Sequence, residues 1–338
     1  MTAERLAPHG TIFPVANAER YFHNLSGNLE RHGDTLRWPS HDGITEFSIE
    51  RIDQPTADGL VVSELVILRH SSPLLQRLCS GLASVASHLN TWATLSALIP
   101  GEDGAHAQLV AKIGVFSKDR ESAERVYAPL ICQEGAVIGW HAAMLARGQS
   151  RSDPNRSPLS MTDQAPPFDD ADFEAIKSIT DHYGFVGSLG KLHFTVELPW
   201  EVGASSSGFA YDDGQEFLSG LGMSEEDRRR AGGKTSLLQI LVMDHPFYGR
   251  GVQCRLEIPY LANGDATSRL VDALNRWELS GPDLPPFLGA WCLGSRAPAF
   301  VTFVPTQLCF RGLLDNLVVW GVARHFHVRD FIVGTEAT

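Results

Sequence analysis

The 338-residue chain is 43% hydrophobic and 9% aromatic, enough for ordinary globular cores, and its length suits two domains. The formal net charge is −12, with 12 basic against 16 acidic residues in 1–150 and 16 against 24 in 151–338. No Lys/Arg block offsets that balance, which argues against a nucleic-acid partner and against an anionic membrane surface.

The start, MTAERLAPHGTIFPVANAERYFHN, lacks the apolar segment of a secretory signal, and no run of 18 apolar residues follows. The five cysteines, 79, 132, 254, 292 and 309, form no C-x-x-C and fall mostly in apolar runs. Buried thiols in a reducing cytoplasm are therefore expected. Arg outnumbers Lys 23 to 5, which fits a GC-rich bacterial genome.

Residues 16–33 read as a polar helix, followed by a short strand near TLRW. ITEFSIERI and GLVVSELVILRH read as strands joined by an Asp-Gly turn. From Pro73, Leu75, Leu78, Leu82, Val85 and Leu89 recur at three-and-four spacing, one apolar stripe of a helix. ATLSALI, a Gly-rich turn, AQLVAKIGVF and a helical region over 119–145 complete a unit spanning 17–146.

Residues 147–167 are rich in Ser, Pro, Asp and Arg with almost no apolar content, which predicts a linker. A second unit, 168–334, then repeats the order. Its helix at 170–183 takes Asp169 or Asp170 as N-cap. In KLHFTVELPW, Leu192, Phe194, Val196, Leu198 and Trp200 alternate inward against His193, Thr195 and Glu197. SLLQILV and GVQCRLEIPYL form a hairpin, and a helix from Thr267 carries Leu270, Leu274 and Trp277. FLGAWCL, FVTFVP and a last helix over 311–325 close the unit. A polar insertion, 201–234, interrupts it between its first two long strands and reads as an ornament or a lid.

One short match fixes the register of the duplication. Leu89, Asn90 and Trp92 end the first middle helix, and Leu274, Asn275 and Trp277 end the second. Asn tolerates the left-handed conformation that stops a helix. The fold expected is α+β: two tandem α-β-β-β-α-β-β-α modules, each an antiparallel sheet with helices packed on it, forming a pseudo-dimer.

Leu274-Asn275, FLGAWCL, FVTFVP and the terminal RGLLDNLVVW, with Leu89-Asn90 and AQLVAKIGVF in the first copy, carry a resemblance. In that order the chain resembles the type III secretion chaperone-like superfamily, including the YbjN-like proteins, over roughly 17–145 and 170–333. The resemblance implies small modules that dimerise and bind polypeptide on sheet or helix surfaces, without catalysis and without a cofactor.

The candidates for chemistry are weak. Gly233-Lys234-Thr235 suggests a phosphate loop, but Arg228 stands where its first glycine belongs, and a strand rather than a helix follows. His325-Phe326-His327 suggests a metal; with no further ligand at a recognised spacing, cations at a helix C-terminus are the simpler reading. Ser188 lacks the G-x-S-x-G elbow, because Val186 replaces the first glycine. Cys79 and Cys132 lie on apolar helical faces. Asp169, Asp170 and Asp172, and Glu225, Glu226 and Asp227, fit helix first turns or solvated loops. His70 and His141 fit core or interface positions, and the seven tryptophans fit core packing first.

No catalytic, cofactor or metal site is therefore assigned. The function expected is a non-enzymatic protein-binding or chaperone-like module, with a polypeptide partner or self-association. The alternatives are a small-molecule receptor or enzyme with its site in a cleft between the modules, gated by 201–234, and a structural or immunity-type protein that recognises one neighbour.

Overall fold

The computed structural model describes residues 12–25, 27–41, 43–55, 60–79, 83–92, 94–100, 106–118, 120–146, 168–182, 185, 187–200, 235–245, 248–259, 264–281, 285–294 and 297–334. The expected linker 147–167, the insertion 201–234, the Asp58-Gly59 turn and the Glu225-Glu226-Asp227 cluster lie outside the described residues.

The first module runs α1 (Val15–Leu25), β1 (Glu30–His32), β2 (Thr35–Ser40), β3 (Gly43–Pro55), β4 (Val61–Ser71), α2 (Pro73–Cys79), α3 (Ala83–Leu89), β5 (Ala97–Pro100), β6 (Ala107–Phe116) and α4 (Ala128–Ala146). A π-helical turn, Ala123–Tyr127, leads into α4. The second module runs α5 (Asp170–His182), β7 (Gly187–Gly190), β8 (His193–Pro199), β9 (Thr235–His245), β10 (Gly249–Glu257), α6 (Gly264–Ser280), β11 (Ala290–Leu293), β12 (Pro298–Pro305) and α7 (Leu313–Gly334).

The two sheets are six-stranded and antiparallel throughout, in the orders β1-β2-β3-β4-β6-β5 and β7-β8-β9-β10-β12-β11. Strand for strand, the second order is the first repeated. The chain is thus α+β with two tandem sheet-plus-helix modules.

Each sheet has one short strand more than the sequence suggested, at its outer edge. β1 occupies residues expected to be helical. Gly33, at φ +65°, turns the chain with Asp34 so that His32 pairs Thr35, and the hairpin replaces the last helical turn. β7 is the counterpart, joined to β8 through Leu192 at φ 51°. The middle helix of the first module is described as two helices, α2 and α3. The last helix extends beyond His325 to Gly334, because Val328 and Ile332 continue its buried stripe at i, i+4.

Packing follows the alternation of each strand. In the first module Phe22 stacks on Trp38 at 4.3 Å and meets Phe47, with α1 and α4 covering that face. In the second, Phe194, Val196 and Leu198 of β8 share a core with Phe173 and Ile176 of α5. The α5 start is a reciprocal cap: Asp169 Oδ1 accepts from the Ala171 and Asp172 amides, and Asp172 Oδ2 accepts from the Asp169 amide. One contiguous apolar core runs through both modules. β12 is buried at every position and β6 at all but its second and last; α2 and α4 pack on β6, and β6 and β12 meet the opposite module through Phe287 and Thr94 respectively.

Candidate functional site

The modules meet along the edges carrying β5 and β11, and the residues of the repeat signature build this seam. Asn90 donates from Nδ2 to the Leu98 carbonyl at 3.1 Å and accepts at Oδ1 from the Leu98 amide at 2.7 Å. Asn275 makes the same pair with Trp291, at 3.0 and 2.9 Å. Both side chains are 2% exposed. Each amide group acts as a strand neighbour, satisfying an edge residue that has no partner strand on that side. The asparagines do not stop their helices in the left-handed conformation; among the described residues the non-glycine positions with positive φ are His41, Asp53 and Leu192. Leu274 is fully buried and Leu89 packs against the core, while Trp277 stacks on Phe331 of α7 at 4.3 Å rather than on the sheet. The Trp92 side chain lies outside the described residues.

The clamps place the two sheets in register with each other. Leu98 pairs Leu109 and Trp291 pairs Phe300, so Lys112 and Phe303 hold one position in the two copies, and Thr94 and Phe287 another. Across the seam these positions bond reciprocally. Lys112 and Phe287 exchange both main-chain bonds, at 3.1 and 2.8 Å, and the Phe303 amide donates to the Thr94 carbonyl at 3.2 Å. That is the pattern of a two-fold, self-complementary interface within one chain.

A buried polar cluster fills one side of the seam. Thr94, Ser96, Glu134 and His141 come from the first module, and His245, Tyr248 and Thr302 from the second, each at most 4% exposed. Ser96 and Thr94 donate to the Glu134 carboxylate, and His141 Nδ1 lies 3.4 Å from Ser96 Oγ. Tyr248 packs edge-on to His141 and Trp140. Burial and then the charge of Glu134 hold its phenol well above the usual range, while the neighbouring Thr94 side chain opposes them. Among the described residues, neither His141 Nε2 nor Tyr248 Oη closes a hydrogen bond of good geometry. These proton-transfer side chains are sealed in the interior rather than set in an open cleft.

The open surface lies elsewhere. Glu30, Arg37, Glu46 and Arg69 stand in register across β1, β2, β3 and β4 on the outer face of the first sheet, a row of alternating charge. Arg69 Nη1 lies 3.9 Å from Glu46 Oε1. Two adjoining depressions of about 560 and 590 Å³ share Arg37 and Ile44, and Ile44 is 42% exposed. The same face carries Lys112 beside Ile67, and there the end of α6 covers it.

The remaining candidates fall into place separately. His325 sits within α7, not at its end. Its Nδ1 lies 3.1 Å from Ser236 Oγ, which accepts from Trp200 Nε1 at 2.6 Å. Burial, then Arg329, lowers its pKa to about 4, so it is a neutral core imidazole and not a terminal cation. Among the described residues no three His, Cys, Asp or Glu side chains group to hold a metal. His70 is buried against Thr45 at 3.0 Å. Cys132, Cys254, Cys292 and Cys309 are thiols pushed up to about 12 by burial; the Cys79 side chain lies outside the described residues. Ser188 is exposed on β7, and Thr235 opens strand β9 directly, as the reading against a phosphate loop requires. Among the described residues no helix is long and apolar enough to cross a membrane.

Compared with known proteins, the chain matches no protein-family model, no curated protein and no solved structure.

Proposed function

We propose that this chain is a non-enzymatic, chaperone-like protein that binds an extended polypeptide on the outer face of its first sheet. The observation that supports the reading is the groove beside β1, where an apolar anchor, Ile44, adjoins the charge row Glu30, Arg37, Glu46 and Arg69. β1 pairs only with β2 among the described residues, leaving main-chain groups for an added strand. The test is selection of displayed extended peptides on the intact protein, followed by titration against Ile44→Asp, an exposed position whose change leaves the fold intact. The reading requires selected peptides to lose affinity by about tenfold or more. Peptides that bind both proteins equally, or a selection that enriches none, contradict it.

A second reading, a small-molecule receptor or enzyme acting at the seam, draws on the buried His141 imidazole and Tyr248 phenol beside Glu134. A thermal-shift screen of nucleotides, metals and metabolites tests it. A stabilising ligand whose effect disappears in Glu134→Gln supports this reading over the first.

A further inference from the structure

We propose that the seam is a heterotypic lock: the two copies have diverged so that each recognises the other and not itself. The inference does not depend on the polypeptide-binding reading. It rests on two side chains that cross the seam and on the residues holding their places in the opposite copy.

Lys112 is 1% exposed in the middle of an apolar strand. Its ammonium donates to the main-chain carbonyls of Glu278, Leu279 and Gly281, where α6 ends. The Glu278 and Leu279 carbonyls belong to the last turn of α6, the negative end of the helix dipole, and that of Gly281 follows it, so a lysine from the other module caps the helix. Its counterpart Phe303 reaches no carbonyl. It lies fully buried against the His245 ring at 4.7 Å.

Arg276 makes the second crossing. Its Nη2 donates to the Pro100 carbonyl, at the end of β5, at 2.6 Å, while Nε is held by Asp272. One residue after the Asn clamp in the first copy, the same place is Thr91, whose hydroxyl turns back to the His88 carbonyl of its own helix.

The consequences for pairing follow from the cost of burying unpaired polar groups. A pair of second modules would set Phe303 against the end of α6 and leave three carbonyls without their ammonium. A pair of first modules would bury two Lys112 ammonium groups away from any α6 terminus and supply no arginine to Pro100. Only the mixed pair satisfies both crossings. This is specificity by penalty on the wrong partner, carried on an otherwise self-complementary backbone pattern.

The test uses the whole chain, with a protease site placed in 147–167 and cut after folding. The nicked protein is refolded from urea and its pairs are weighed by native mass spectrometry. The mixed pair alone is expected. In the doubly substituted chain, Lys112→Met with Arg276→Thr, like-with-like pairs should appear and the mixed pair should dissociate about tenfold more readily. Arg276→Thr alone, at a partly exposed position that folding tolerates, should shift dissociation in the same direction. Statistical recovery of all three pairs from the parent, or parent-like pairing by the double variant, overturns the proposal.

Discussion

Asn275 shows what one side chain does for a sheet edge. Asn275→Ala leaves both the amide and the carbonyl of Trp291 buried and unpaired, at about 1–3 kcal/mol for each group. Urea denaturation should therefore show a loss of about 3 kcal/mol, and Asn90→Ala a similar one at Leu98. His325 supplies a pH dependence. Its folded pKa of about 4 lies below the ordinary 6.5, so between those values the unfolded chain binds a proton that the folded chain refuses. Stability is intact above pH 6.5 and falls as the pH drops from 6.5 to 4, by about 3 kcal/mol in all from this residue. Urea midpoints at pH 7.5 and pH 4.5 should differ less in His325→Gln than in the parent; an unchanged difference would show that His325 does not titrate this way.

At the scale of elements, α4 lies unusually close to its neighbours because two glycines one turn apart face them. A Cβ at Gly135 would stand 2.6 Å from Phe22 of α1, and one at Gly139 would strike the Ser40 hydroxyl and come within 3.0 Å of its carbonyl oxygen. Gly139→Ala must push helix from strand, and should lower stability by about 1–3 kcal/mol in thermal unfolding despite its better helix propensity. The elements also show where sequence reasoning succeeds. Phe194, Val196 and Leu198 alternate so cleanly that β8 and its buried face were legible, and so was the β9–β10 hairpin. β1 and β7 were not, because three exposed polar residues and a Gly-Ser-Leu-Gly run carry no period-2 apolar signal. The tail of α7 was legible in principle through Val328 and Ile332, but Arg329 and Asp330 between them masked the stripe. For the seam, the available signal was Lys112, a lone charge at the centre of an apolar strand. The Thr94, Ser96, Glu134 and His141 cluster gave none, since its members come from separate elements and meet the second module only through tertiary packing.

The whole molecule is two copies of one fold closed against each other, with a common core and a seam built from the repeat signature. Pairing covers the β5 and β11 edges, while β1 and β7 lie at the opposite edges of the two sheets. If the copies form one cooperative unit, the seam opens only when the protein unfolds; if they are merely tethered, it opens first. Native-state hydrogen exchange of three amides that bond across the seam, those of Lys112, Phe287 and Phe303, separates the two cases. Their opening free energies should equal those of the Leu98 and Trp291 amides held within each module. Exchange of the seam amides several kcal/mol more easily than those two would contradict the account.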